Sequence, residues 1–366
     1  MYWRRLRLNK SRLIDFIGKS SLTVVDAMGM IDTNARGILF IADDNNVLLG
    51  CVTDGDIRRW ILKTGELSTS VNHVMNKSPK YLYVEQENKA YSMMRKKTIT
   101  AVPILNNEMQ IVDIVVLNEE DRVTEGKTKK SLSQVPVIIM AGGKGTRLYP
   151  YTKILPKPLI PIGETPIVER IIDCYLEYGV KKFFMSVNYK KSMIKSYFND
   201  ISTDYEIKYV EEDKPLGTCG SIKLIENKFV EPLFVANCDA LILADYADIY
   251  DYHVDSGNMI TVVSALKNIT IPYGVIHSTQ NGELVDIEEK PKLSYCINTG
   301  MYIINPDVIE MIPDDEVFHM TDLVKKVMNQ GGKVGTYPVS EDSFLDMGEL
   351  SEMKRMEQKL NIISDK

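Results

Sequence analysis

No stretch of this 366-residue chain holds the roughly 18 consecutive apolar residues that would cross a bilayer. The opening, MYWRRLRLNK, is basic, but no apolar run follows it, so a secretory leader is not expected. Those residues read as a short arm or first strand. Cysteine and histidine are sparse and unpatterned. Cys51, Cys174, Cys219, Cys238 and Cys296 form no CxxC pair, which excludes a sequence-legible disulfide or zinc framework and suits free thiols in a reducing cytoplasm. His73, His253, His277 and His319 lie far apart and supply no local metal or triad motif. Basic charge is also short. The net charge is −6, with residues 1–135 mildly basic and the rest acidic. An acidic larger half is a poor partner for nucleic acid. A few cations on a glycine-rich turn can still build a site for a small anion. The expectation is a cytoplasmic protein without nucleic-acid or membrane partners.

What is present is ordinary globular composition, 44% hydrophobic and 26% charged, in a chain long enough for about two domains. The polar stretch RVTEGKTKKSLSQ (122–134) reads as a linker, with 125–134 between domains. Upstream, ILFIADDNNVLLGCVTDGDIRR repeats weakly as VPILNNEMQIVDIVVLNEEDR, shifted by 63 positions. Each copy reads strand, Asp/Asn turn, strand, charged helix start. The two copies are placed at about 1–65 and 66–124. DGDIRRWILKTG reads as a helix with acidic residues at its start and Gly65 at its end. Downstream, VPVIIM is a strand buried on both faces. TPIVERIIDCYLEYG reads as a helix with Thr165 as cap, Pro166 at the first helical position and Gly179 as stop. KKFFMSVN, PLFVANCD and MITVVSAL are further strands, and MIKSYF lies in a helix. Such alternation predicts an α/β, Rossmann-like, mostly parallel mixed sheet.

The turn after VPVIIM is AGGKGTRL. Gly142, Gly143 and Gly145 permit unusual backbone angles and let peptide N–H groups approach an anion. No window fits the Walker A spacing, and Leu148 does not suit a dinucleotide fingerprint. Arg147 and Lys157 add two cations, and Pro156 and Pro158 fix the backbone around Lys157. Together these point to a polyphosphate ligand.

GGKGTRL followed by PKPLIPI resembles the sugar-1-phosphate nucleotidylyltransferases. The likeness continues in order through EEDKPLGTCGSI, NCD, PYGVI, EEKP, NTGMYIINP and FLDMGE, covering 135–366. It implies attack by a sugar-1-phosphate oxygen on the α-phosphorus of a nucleoside triphosphate. A phosphate monoester loses its second proton near a pKa of about 6, so no general base is needed. The family implies roles for Arg147 and Lys157 at the reacting phosphates and Mg²⁺ on Asp239 and Asp346. It places the nucleotide on Met140, Ala141, Gly142, Gly143, Gly145, Thr146, Pro215, Gly217 and Thr218, and the sugar phosphate on Gly274, Glu289, Lys290, Asn298 and Thr299. Glu212 stands where many uridylyl and thymidylyl relatives carry glutamine. An acceptor-only carboxylate suits the adjacent N–H donors of guanine, which favours GTP, although some uridylyltransferases share it. Cys238 and Cys219 depart from the glycine and alanine common at those positions.

GCVTDGD (50–56) resembles the G-x-x-T-x-x-D signature of a CBS domain. The first domain is therefore read as a smaller α+β CBS pair. One adenine-nucleotide site is expected at most, on Thr53 and Asp56, because the second copy offers Asp113, Val116 and Glu119 instead. CBS pairing also suggests a homo-oligomer. ALKNITIPYGVI and FHMTDLV resemble the glucosamine-1-phosphate guanylyltransferase subgroup of legionaminic acid synthesis. Mannose or glucose 1-phosphate with GTP, UTP with a similar sugar, and a non-catalytic nucleotide sensor stay open.

Overall fold

The computed structural model describes residues 13–34, 36–97, 99–116, 130–226, 229–348 and 350–360. The MYWRRLRLNK arm, most of the 122–134 linker and Glu119 lie outside the described residues. The chain divides into two compact units, Met1–Lys127 with Leu266–Tyr295, and Thr128–Ala265 with Cys296–Lys366.

In the first unit, β1 (Ile17–Lys19), α1 (Val24–Asn34), β2 (Ile38–Ala42), β3 (Leu48–Thr53) and α2 (Asp54–Thr64) form one copy of the repeat. The second comprises β4 (Leu82–Tyr83), α3 (Ala90–Lys97), β5 (Ala101–Leu105) and β6 (Ile111–Val116). In each copy the first strand runs parallel to the second, which pairs antiparallel with the third. The 63-residue offset extends to detail. The ladder slips between Ile41 and Ala42 and again between Ile104 and Leu105, and the turn residues Asn46 and Met109 both have positive φ. The copies meet through reciprocal bonds, Leu48 N–H to Met109 O (3.0 Å) and Ile111 N–H to Asn46 O (2.9 Å). Phe40, Cys51, Leu105 and Ile114 are buried in one shared cluster. As read, α2 stops at Gly65, whose φ of 72° lets its N–H reach Ile61 O.

The second unit is built on β7 (Val137–Met140). A short hairpin follows, β8 (Pro161–Ile162) with β9 (Thr165–Pro166), then α4 (Ile167–Leu176). Thr165 therefore does not cap this helix. It pairs with Ile162, so its backbone is extended, and the cap position falls on Pro166. Then come β10 (Lys182–Val187), α5 (Lys191–Asp200), β11 (Glu206–Glu211), β12 (Leu233–Asn237), β13 (Ala240–Ile242), α6 (Tyr246–Asp255) and β14 (Ile260–Thr270). The chain ends with β15 (Gly274–Ser278), β16 (Leu284–Glu289), β17 (Lys292–Ile304), α7 (Met320–Asn329), β18 (Val334–Val339), β19 (Phe344–Asp346) and α8 (Leu350–Lys359). The β15–β16 hairpin falls in the stretch grouped with the first unit, where Leu266 is buried in the same cluster as Val24, Leu39 and Ile57.

The main sheet is seven-stranded, ordered β11-β10-β7-β12-β17-β14-β18. The first four strands are parallel, as are β14 and β18, while β17 opposes β12. Alternate residues of β7 serve opposite faces. Val137 and Ile139 pack with α4 and α6, and Ile138 and Met140 with α7. Fully buried aliphatics contribute about 2–3 kcal/mol each, which makes this two-sided strand the anchor of the unit. The chain leaves β7 for β10 on one side and returns to β12 on the other, so a crevice opens at the carboxyl ends of β7 and β12.

Candidate functional site

The loop after β7 fills that crevice. Ala141 is buried, its N–H bonded to Ser186 O (2.9 Å), and the chain then turns through Gly142–Gly145. A Cβ on Gly142 would stand 2.8 Å from Glu212 Oε1. Gly145 has φ +63°, and a Cβ there would meet Thr152 Cγ2 at 2.9 Å and Lys157 Cβ at 3.1 Å. Both positions exclude a side chain for a concrete reason, whereas the space over Gly143 is open. Thr152 closes the loop by donating its hydroxyl to Gly145 O (2.8 Å).

Lys157, which follows Pro156 and is buried, makes an ion pair with Asp239 just after β12. The Asp239 carbonyl accepts the Met347 N–H (2.8 Å), and its neighbour Ala240 lies opposite Asp346 in the β13–β19 pair. Two acidic residues remote in sequence are thus brought together. Burial, and then the Asp239 charge, push the Asp346 carboxyl above the usual carboxylate range, while Lys157 and Arg147 pull it down. Arg147 completes the group, since a Cβ on Gly348 would lie 2.8 Å from Asp346 Oδ2 and 3.3 Å from Arg147 Nη1. Among the described residues no group of three or more His, Cys, Asp or Glu could hold a metal. Two carboxylates still suit a hard cation that takes its other ligands from phosphate and water.

A cleft of about 380 Å³ is lined by Met140, Gly142, Gly143, Gly145, Thr146, Arg147, Lys157, Glu212, Pro215, Gly217, Thr218 and Asp239. Glu212 is 4% exposed. It accepts the Ser186 hydroxyl on Oε1 and the Leu216 N–H (3.0 Å) on Oε2, and each oxygen of a carboxylate has capacity for a further donor. Gly217 and Thr218 are tied to the start of α7. A Cβ on Gly217 would come within 2.5 Å of Phe318 O, and Thr218 Oγ1 accepts the Met320 N–H (3.1 Å). Cys219 and Cys238 are buried, and that burial pushes both thiols up to about 12, so they pack rather than react.

A second lobe of about 310 Å³ shares Arg147, Thr218, Asn237 and Asp239 with the first and contains Asp346, Asn298 and Thr299. Asn298 is held by Tyr302, to whose hydroxyl it donates (2.6 Å), and Thr299 donates to Val263 O (2.7 Å). Gly274 faces Glu289 across the β15–β16 hairpin, and Lys290 follows it with φ 48°. These three belong to the first unit. Sequence reasoning missed His319, which lines the second lobe and accepts the Thr218 N–H on Nδ1 (3.4 Å), and Thr321 beside it. The FHMTDLV stretch holds both but carries no spacing that marks them.

In the first unit, Thr53 and Asp56 form a capping box at the start of α2. Thr53 Oγ1 donates to Asp56 Oδ2 (2.6 Å) and accepts the Asp56 N–H (3.2 Å). Gly50 is required because Asn76 O would lie 2.8 Å from its Cβ.

Among the described residues no helix is long and apolar enough to cross a membrane. A UTP–glucose-1-phosphate uridylyltransferase of Synechocystis is 33% identical over 234 residues, 58% of this chain and 60% of that protein. A mannose-1-phosphate guanyltransferase of Debaryomyces hansenii is 36% identical over 184 residues, 48% of this chain and 51% of that protein. The chain thus spans about half to three-fifths of the curated relatives it matches. HddC from Yersinia pseudotuberculosis, a solved structure, is 25% identical, with 62% of this chain and 99% of that one covered and a TM-score of 0.48. A CBS domain family model matches residues 19–63. The model described as Nucleotidyl transferase matches residues 136–361, the whole span that supplies both lobes of the cleft, and the chain belongs to that family.

Proposed function

We propose that the protein transfers a nucleotidyl group from a nucleoside triphosphate to a hexose 1-phosphate, with GTP and glucosamine 1-phosphate as favoured substrates. The observation that carries this reading is the meeting of Lys157, Arg147, Asp239 and Asp346 beneath an open glycine turn. A sugar-phosphate oxygen bonds to the α-phosphorus, the bond to the β-phosphate breaks, and its electron pair leaves with pyrophosphate. Gly142 and Gly143 offer backbone N–H groups to the triphosphate. Arg147 and Lys157 neutralise the phosphates around the reacting centre, and Lys157 is held by its ion pair with Asp239 before substrate arrives. Asp239 and Asp346 would hold Mg²⁺, which when bound supplies charge neutralisation between two anionic reactants. The Asp346 carboxyl, raised by burial first and by the Asp239 charge second, supports this fit, since a cation bound beside it would favour its ionised form. Asn298 and Thr299 line the lobe suited to the sugar phosphate.

The preorganised Glu212 carboxylate supports guanine, as does the relative named as a guanyltransferase. The relative named as a uridylyltransferase keeps UTP as the second reading. The likeness of FHMTDLV to the legionaminic acid subgroup favours an amino-hexose. An adenine nucleotide on Thr53 and Asp56, and subunit pairing through the CBS repeats, complete the proposal.

The test is pyrophosphate release with each nucleoside triphosphate against a panel of hexose 1-phosphates in Mg²⁺. Turnover is expected with GTP. Release with UTP alone overturns the Glu212 argument, and no release with any pair replaces the enzyme with a nucleotide sensor.

A further inference from the structure

We infer that Asn188, Tyr189 and Lys190 form a clamp that positions the phosphate-facing loop Gly142–Lys157, with Lys190 as its principal positioning residue. This rests on the nucleotidyl-transfer reading of the cleft. The tripeptide follows β10 and touches the loop at both ends. The Tyr189 N–H donates to Gly142 O (3.4 Å) and its hydroxyl to Thr152 O (3.1 Å). Thr152 in turn holds Gly145. The Lys190 ammonium donates to Lys153 O and to Ile154 O, both at 2.6 Å. Asn188 Nδ2 reaches the other wall of the cleft at Glu212 O (2.7 Å).

The backbone of Lys190 singles it out. Its φ of 53° and ψ of 35° are left-handed, a conformation that glycine or asparagine adopts with less strain. A bystander before α5 would gain from being glycine. Lysine accepts the strain and places its charge on two carbonyls at the carboxyl end of the Tyr151–Lys153 turn, where a cation is favoured. Lys157 lies three residues beyond Ile154 and Arg147 two beyond Gly145, so both cations follow segments that the clamp fixes. Small displacements of such groups are costly to rate.

Lys190→Met removes the ammonium, Lys190→Gly removes it and relieves the backbone, and Lys190→Arg keeps the charge. In full-length protein, Met and Gly should each raise the KM for the triphosphate and lower kcat by roughly tenfold, as expected when transition-state positioning is lost. The KM for the sugar phosphate should not change. Lys190→Gly, which relieves the backbone, should melt no lower than Lys190→Met, and Lys190→Arg should keep most of the activity. Kinetic constants within about twofold of wild type in the Met and Gly variants, or a defect shared equally by both KM values, overturn the clamp. Amide exchange of residues 142–157, measured without substrate, gives a reading that does not depend on turnover. It should quicken about fivefold or more in both variants, and unchanged exchange overturns the clamp. Should wild type turn over no substrate pair, the functional reading falls and exchange alone decides the clamp.

Discussion

The carboxamide of Asn237 occupies the space that any side chain at position 300 would need. A Cβ on Gly300 would stand 2.3 Å from Asn237 Nδ2, and Gly300 holds φ +81°. The end of β12 and the middle of β17 thus touch at the floor of the second lobe. Gly300→Ala combines a strained backbone with a displaced cleft residue. It should cost about 1–3 kcal/mol and reduce turnover, as read by thermal denaturation and pyrophosphate release. An unchanged melting curve would mean that the two strands are not held this closely.

The Lys157–Asp239 pair separates stability from activity. Removing one partner leaves a buried charge alone, so Lys157→Met or Asp239→Asn should destabilise by about 3–5 kcal/mol. The double variant has no orphaned charge and should regain most of that stability, but none of the turnover. Denaturant melts beside activity assays check this, and an active double variant would remove both residues from the proposed chemistry.

Thr53 has two tasks that substitutions can divide. Thr53→Ala loses the helix cap, about 1 kcal/mol, together with any hydroxyl contact to a nucleotide. Thr53→Asn keeps a capping oxygen and loses only the hydroxyl. Titration with AMP or ATP should show weaker binding for both variants. Binding equal to wild type in Thr53→Asn would dismiss the hydroxyl as a ligand contact.

His253 should make stability depend on pH. Its ring is 1% exposed, with Nε2–H donating to Asn305 Oδ1 (3.0 Å) and Nδ1 accepting the Thr261 hydroxyl (2.8 Å). Burial pulls its pKa below the ordinary value of 6.5, and the Asn305 bond offsets this in part. Well above pH 6.5 neither folded nor unfolded imidazole is protonated, and the full stability is present. As pH falls the unfolded chain binds the proton first, so stability declines until the folded ring titrates. The slope cannot exceed about 1.4 kcal/mol per pH unit. Urea melts at pH 7.5, 6.5 and 5.5 should show a smaller decline in His253→Asn than in wild type, and parallel declines would count against this assignment.

Much of the fold was legible because its causes are local. The 63-residue repeat appears in the structure down to the ladder slip and the positive-φ turn residues, since hairpin register follows from turn chemistry and side-chain alternation. The two-faced apolar run of β7 and the Gly65 stop are of the same kind. Thr165 failed as a helix cap because a tight turn pairs it with Ile162, three residues earlier, so a local hairpin competes with the local cap signal and moves the helix start past it.

By itself the sequence determined the strand–helix order, the repeat, the glycine turn and the supply of cations and carboxylates, because each depends on residues within a few positions of one another. Only the tertiary structure decided that Asp346 lies opposite Ala240, the neighbour of Asp239, that Ser186 and Leu216 hold Glu212, and that a strained Lys190 secures the loop. Those arrangements arise around the crevice at the carboxyl ends of β7 and β12, and no local pattern encodes which segments will meet there.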